Sequence, residues 1–315
     1  MRRAFVTALA ALVLPSAAFA AGPSYVAQGG LGVLAQGGKS RFVAVPAGGR
    51  TMIVRIAVPG GAVRGWATLR GGWGLPQPTL TSTEGLTRDG ERLIVGTLGF
   101  SAATRFAVID TKTLRVRDRF ALHGRFAYDA LSPDGNTLYV TEYVDADNAS
   151  RYVVRAYDLR DHVLLPGRVA DKTQRGWVME GFALTRTTSD DGRWVYTLFM
   201  NPGGYPFVHA LDTVNHSAHC IGLPWQGGGQ GALDAMRMTL VHRGTALSLR
   251  WKSGRPWLTV NTATWGITHP HSASFAWGWT IGGLGGAILL ALGAVAVVVT
   301  LRRRGEPGKE AVSAA

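Results

Sequence analysis

Ser132-Pro133-Asp134-Gly135-Asn136-Thr137-Leu138-Tyr139-Val140 is a tight turn running straight into a strand, and weaker copies of it flank it on both sides. Thr87-Arg88-Asp89-Gly90-Glu91-Arg92-Leu93-Ile94-Val95 and Ser189-Asp190-Asp191-Gly192-Arg193-Trp194-Val195-Tyr196 repeat the pattern. Asp-Gly supplies the positive φ that a tight hairpin demands, and the β-branched and aromatic residues after it suit a pleated strand. A unit that recurs in this way specifies a repeat architecture. Aligning the turn glycines gives Gly38, Gly90, Gly135, Gly192 and Gly244, at intervals of 52, 45, 57 and 52. Each interval holds about four strand-like runs, the content of one four-stranded antiparallel blade.

The third unit predicts strands over 127–131, 137–143, 152–158 and 163–169, and the second over 84–87, 92–97, 105–109 and 115–122. The fourth runs from 177 through 193–200 and 207–212 to 218–223, while the first and last units follow by spacing alone. No long amphipathic helical pattern interrupts them, so the fold class is all-β. Phe106-Ala107-Val108-Ile109-Asp110-Thr111-Lys112-Thr113, then Ser132-Pro133-Asp134-Gly135, then Leu138-Tyr139-Val140-Thr141, resemble the YVTN-type β-propeller repeat of bacterial surface proteins, lactonase-like propellers and quinoprotein-like proteins. The resemblance covers residues 79–213 and implies a β-propeller ectodomain with about five recognisable blades, or more if others are degenerate. It implies a fold and no particular chemistry.

Both ends carry addresses. Met1-Arg2-Arg3, an apolar run from Ala4 to Leu14 and Ala18-Phe19-Ala20 have the three parts of a secretory signal, which predicts a signal peptide over 1–20. Residues 277–301 are uncharged and almost wholly apolar, and Arg302-Arg303-Arg304 follows at once. That predicts one transmembrane helix with a short cytoplasmic tail over 302–315, a juxtamembrane linker over 271–276, and an extracytoplasmic domain over 21–270. The expected location is the plasma membrane, single-pass, with the domain outside. Gly278, Gly282 and Gly286 recur every fourth residue and would let a second helix approach closely, the basis for an expected homodimer through the membrane helix.

Cys220 is the only cysteine, so an exported chain has no internal disulfide and its stability must come from packing. Residues 21–274 carry 27 Lys or Arg against 18 Asp or Glu. The basic residues are scattered and are mostly arginine, which argues against nucleic acid as a partner.

Four carboxylates stand just upstream of the turns in a shared pattern of acid, small, large apolar: Glu84-Gly85-Leu86, Asp129-Ala130-Leu131, Glu180-Gly181-Phe182 and Asp234-Ala235-Met236. In a propeller the innermost strands surround the axis, so Glu84, Asp129, Glu180 and Asp234 are expected to form a ring at one channel mouth. Crowded carboxylates either hold a hard cation such as Ca²⁺ or are closed by arginines, here Arg88, Arg125, Arg186 and Arg237. His216, His219 and Cys220, with His209 nearby, resemble a soft-metal cluster, but His219 and Cys220 point to opposite faces of a strand and cannot share an ion. Nucleophile-elbow, zincin and phosphate-loop motifs are absent. The expected function is a cell-surface binding or interaction module for a protein or cell-envelope ligand. The alternatives are a propeller hydrolase or lactonase using the channel-mouth carboxylates, and an accessory subunit of a membrane complex.

Overall fold

All five aligned glycines take the left-handed conformation, with φ of 69° at Gly38, 70° at Gly90, 66° at Gly135, 74° at Gly192 and 87° at Gly244. The computed structural model describes residues 26–269, apart from 30, 36, 77–82, 100–101, 146, 175–177, 202 and 227–229. The expected signal peptide, the membrane span with Gly278, Gly282 and Gly286, and the cytoplasmic tail lie outside the described residues. Among the described residues no helix is long and apolar enough to cross a membrane.

The described residues form five antiparallel sheets in sequence order, a propeller-like succession. Sheet I holds Val33–Leu34, Ser40–Pro46, Arg50–Ala57 and Val63–Arg70. Sheet II holds Trp73–Pro76, Arg92–Thr97, Ala103–Asp110 and Val116–His123, with Val26–Ala27 paired onto its first strand. Sheet III is built from Phe126–Leu131, Thr137–Tyr143, Arg151–Asp158 and Val163–Leu164, and Met179–Glu180 joins its third strand. Sheet IV comprises Phe182–Thr188, Trp194–Met200, Phe207–Asp212 and Ser217–Gly222. Sheet V comprises Arg237–Val241, Ala246–Arg250, Pro256–Asn261 and Ile267–Thr268.

Three of the turns share one hydrogen-bond pattern. The Thr87, Ser132 and Ser189 hydroxyls each donate to the aspartate two residues on, Asp89, Asp134 and Asp191, at 2.5 Å. The same hydroxyls accept the backbone N–H of Arg92 at 3.0 Å, Thr137 at 2.9 Å and Trp194 at 2.9 Å. A serine or threonine opening the turn therefore matters as much as the Asp-Gly that follows it. A second turn recurs after the third strand. Asp110, Asp158, Asp212 and Asn261 each accept two backbone N–H bonds through one side-chain oxygen. Four residues beyond each, Leu114, His162, His216 and Trp265 all have positive φ. The fifth unit is thus a true copy, with Asn261 standing for aspartate.

Middle strands are buried on both faces and read as continuous apolar runs, as in Phe207–Asp212, where every residue is buried. Outer strands alternate, as in Val116–His123. In sheet IV, Val195 and Phe199 pack toward sheet III while Tyr196 and Leu198 pack toward sheet V. Similar clusters join sheets I to II and II to III. Two predicted strands are shortened. Only Leu86, bridged to Leu93, pairs within 84–87, and 163–169 reduces to Val163–Leu164 plus a bridge from Val169 to Val154. Pro166 and Gly167 (φ 84°) interrupt that last run.

Candidate functional site

Counting back six residues from the turn glycines of sheets II, III and IV reaches Glu84, Asp129 and Arg186. Because the three turns share one geometry, these residues occupy equivalent places on three neighbouring inner segments, and the structure brings them together. The Arg186 side chain is only 4% exposed. Its guanidinium bonds both the carboxylate and the carbonyl oxygen of Asp129, and reaches Glu84 Oε2 at 3.4 Å. Thr197 Oγ1 accepts from Arg186 Nε at 3.2 Å and from Nη2 at 3.1 Å. Burial works against the Arg186 charge, but the negative charges of Glu84 and Asp129 outweigh it and raise the guanidinium pKa further.

Glu84 has two more neighbours. The buried Tyr128 hydroxyl donates to Glu84 Oε2 at 3.2 Å and accepts Gly85 N–H at 3.0 Å. Thr188 Oγ1 donates to Glu84 Oε1 at 3.3 Å. Burial, and then the charge of Glu84, push the Tyr128 phenol well above its ordinary pKa, so it stays a neutral donor.

Above the cluster opens a cavity of about 310 Å³. Its walls are again repeat-equivalent: Thr87, Ser132 and Ser189 from the first turn position, then Arg88, Pro133 and Asp190 from the second. Leu86, Leu131 and Thr188 supply the last position before each turn, and Glu84 and Tyr128 also line it. Arg88 is held at the rim by a bond to the Asp191 carbonyl oxygen.

Of the four expected carboxylates, Glu84 and Asp129 meet and the other two stand elsewhere. Glu180 sits on the short strand paired with the third strand of sheet III, where it bonds Arg151 at 2.9 Å and is 52% exposed. Asp234 is exposed in the short 3₁₀ helix Gln230–Ala235. Among the expected arginine partners, Arg186 closes two acids and Arg237 is exposed. Arg186 stands between the carboxylates where a cation would have to sit, so the residues at this spot do not fit Ca²⁺. Among the described residues no group of three or more His, Cys, Asp and Glu could hold a metal ion.

The histidines and the cysteine separate as strand geometry requires. His209 and Cys220 face each other across neighbouring strands with Nδ1 to Sγ at 3.6 Å. His219 lies on the opposite face, stacked on Trp265, with Nδ1 2.9 Å from Asp171. His216 Nδ1 lies 2.6 Å from the Tyr139 hydroxyl. The register Arg186, Thr197, His209, Cys220 forms one cross-strand row between sheets III and IV. Burial pulls the His209 imidazole down to about 4 and pushes the Cys220 thiol up to about 12, so the pair is neutral near pH 7.

These features define an all-β protein of serially packed antiparallel sheets, with a buried ion cluster beneath a cavity at their inner edge. No protein-family model and no curated protein matches the chain. Among solved structures it is similar to TolB from Acinetobacter baumannii, with 14% identity, a TM-score of 0.43, and coverage of 78% of this chain and 56% of that one. It also matches Kuenenia stuttgartiensis hydrazine synthase, with 13% identity, a TM-score of 0.41, and 76% of each chain covered. A third is the Dos1 propeller, with 11% identity, a TM-score of 0.44, and coverage of 70% of this chain and 54% of that one. The chain thus spans little more than half the length of the TolB and Dos1 chains, and likenesses at this level carry no functional argument.

Proposed function

We propose that this protein is a membrane-anchored, extracytoplasmic binding module of the cell surface, with its protein or cell-envelope ligand seated in the cavity above Glu84 and Arg186. The observation that carries this reading is the cavity itself: equivalent residues of three repeats line it, and the two carboxylates of the cluster beneath it, Glu84 and Asp129, are already engaged by one arginine. A wall of hydroxyls, the carboxylates of Glu84 and Asp190, the Arg88 guanidinium and apolar side chains recognises a ligand by shape, charge and hydrogen bonding. Proton transfer needs a carboxylate poised to exchange its proton with a substrate, and the clasp by Arg186 works against that in Glu84 and Asp129. The signal-like start and the apolar segment before Arg302 support export and anchoring.

A photo-crosslinking amino acid placed at Thr188 in cells tests the reading. Capture of one cell-envelope component from Thr188, lost on filling the cavity with Leu131→Trp and absent from a control probe at exposed Arg160, is the expected result. Equal capture from both positions, or capture indifferent to Leu131→Trp, would overturn it. A periplasmic reporter fused after His269 should be active if the domain is exported and silent if it is not.

A further inference from the structure

We propose a second binding site, at the junction of sheets I and II, for a phosphate-type oxyanion. A cavity of about 360 Å³ there is lined by Arg70, Arg105 and Arg119, with Trp73, Phe106 and Phe120. That volume lies within the lower range of small-ligand pockets, roughly 300–1,000 Å³. Arg105 stands opposite Ala121 and Arg119 opposite Ala107, so the two arginines are diagonal neighbours on one face of sheet II. Arg70 closes the cavity from the end of sheet I. Trp73, 6% exposed, fixes the wall by donating its indole N–H to the Arg70 carbonyl oxygen at 2.8 Å.

Three guanidinium groups around one cavity repel one another unless a counter-charge sits among them. Among the described residues no carboxylate lines this cavity. Among the described residues none of Arg70, Arg105 and Arg119 forms an ion pair. Some arginines elsewhere do have an acid partner. Arg117, two residues before Arg119 on the same strand, is closed by Asp110, and Arg155 and Arg193 are closed by Glu142 and Asp212. Sheet I cannot supply the missing charge, because no Asp or Glu precedes Glu84 in the chain. Planar guanidinium groups bind phosphoryl oxygens in pairs of parallel hydrogen bonds, and an oxyanion would satisfy all three at once. The phosphoryl group could belong to a free phosphate or to the headgroup of an anionic lipid.

This site shares no residue with the cavity beside Glu84, so either can fail without the other. The test uses the full-length protein in detergent and two probes, pyrophosphate and a water-soluble short-chain phosphatidylglycerol, titrated by calorimetry. Saturable binding of either probe is expected, weakened by about tenfold or more in the Arg105→Gln/Arg119→Gln double variant and unchanged in Arg160→Gln. Binding of pyrophosphate identifies free phosphate as the source, and binding of the lipid alone identifies a headgroup. Both arginines are exposed, so the double variant should keep the parent melting temperature. No saturable binding of either probe at millimolar concentration, or equal affinity in parent and double variant, would overturn the proposal.

Discussion

Arginine plays opposite parts at the inner and outer edges of these sheets. Arg186 is almost wholly buried and two carboxylates close on it. Arg105 and Arg119 are exposed, at a cavity that no carboxylate among the described residues lines. A buried guanidinium without a counter-charge costs several kcal/mol, so the inner site must carry its own acids, whereas water can hold the outer charges until a ligand arrives. Residue type therefore says little about role. Burial and the nearest opposite charge decide whether an arginine serves the fold or a ligand.

The sharpest way to break this comparison is to remove the charge from each place in turn. Arg186→Met should destabilise the protein by about 3–5 kcal/mol in denaturant unfolding, because Glu84 and Asp129 lose the charge that pairs them in the interior. A loss under about 1 kcal/mol, typical of surface pairs, would make the inner cluster no different from the exposed ones.

His209 sharpens the same point, since it lies in the cross-strand row that Arg186 begins. An exposed imidazole titrates near 6.5, and burial holds this one at about 4. The unfolded chain takes up the proton first, so this contribution is whole above about 6.5. It should fall as pH drops from 6.5 toward 4 and level off below, by about 3 kcal/mol in all. Denaturation midpoints measured across that window should show the slope in the parent and a flatter profile in His209→Gln.

Ser132→Ala, which leaves both sets of charges intact, should cost about 1 kcal/mol, the worth of a hydroxyl that both donates to Asp134 and accepts from Thr137. Thermal unfolding reads it directly, and a neutral result would show that Asp-Gly alone sets the turn. Smallest of all, Arg119→Gln should leave stability within about 0.5 kcal/mol of the parent. A larger loss would mean that the outer arginine, too, serves the fold.

Much of the fold was legible because turns are local. Each aligned glycine lies where a positive φ is needed, and the predicted strands 92–97 and 137–143 match the observed bounds, since apolar runs after such turns have one way to pair. The place of 84–87 was less legible. Trp73–Pro76 takes most of that edge of sheet II, and nothing in its short apolar sequence announces a strand. The site was only half legible, for a different reason. Acid, small, apolar is a chemical pattern, and matching on it gathered Glu180 and Asp234, which stand at other distances from their turns. Matching on distance from the turn glycine gathers Glu84, Asp129 and Arg186, because position on the strand, not charge, decides which side chains meet. The acid pattern reached Arg186 only as one of four candidate partners, and distance from the turn is what singles it out.

The most direct test of that clasp is to remove all its charges together. Unfolding free energies would be measured for Arg186→Met, for Glu84→Gln/Asp129→Asn, and for the triple variant. If the three residues form one buried ion cluster, the triple variant recovers much of the stability that Arg186→Met loses, because no uncompensated charge remains inside. If the losses simply add, the residues do not act on one another, and the inner edge of these sheets is not held by a shared arginine.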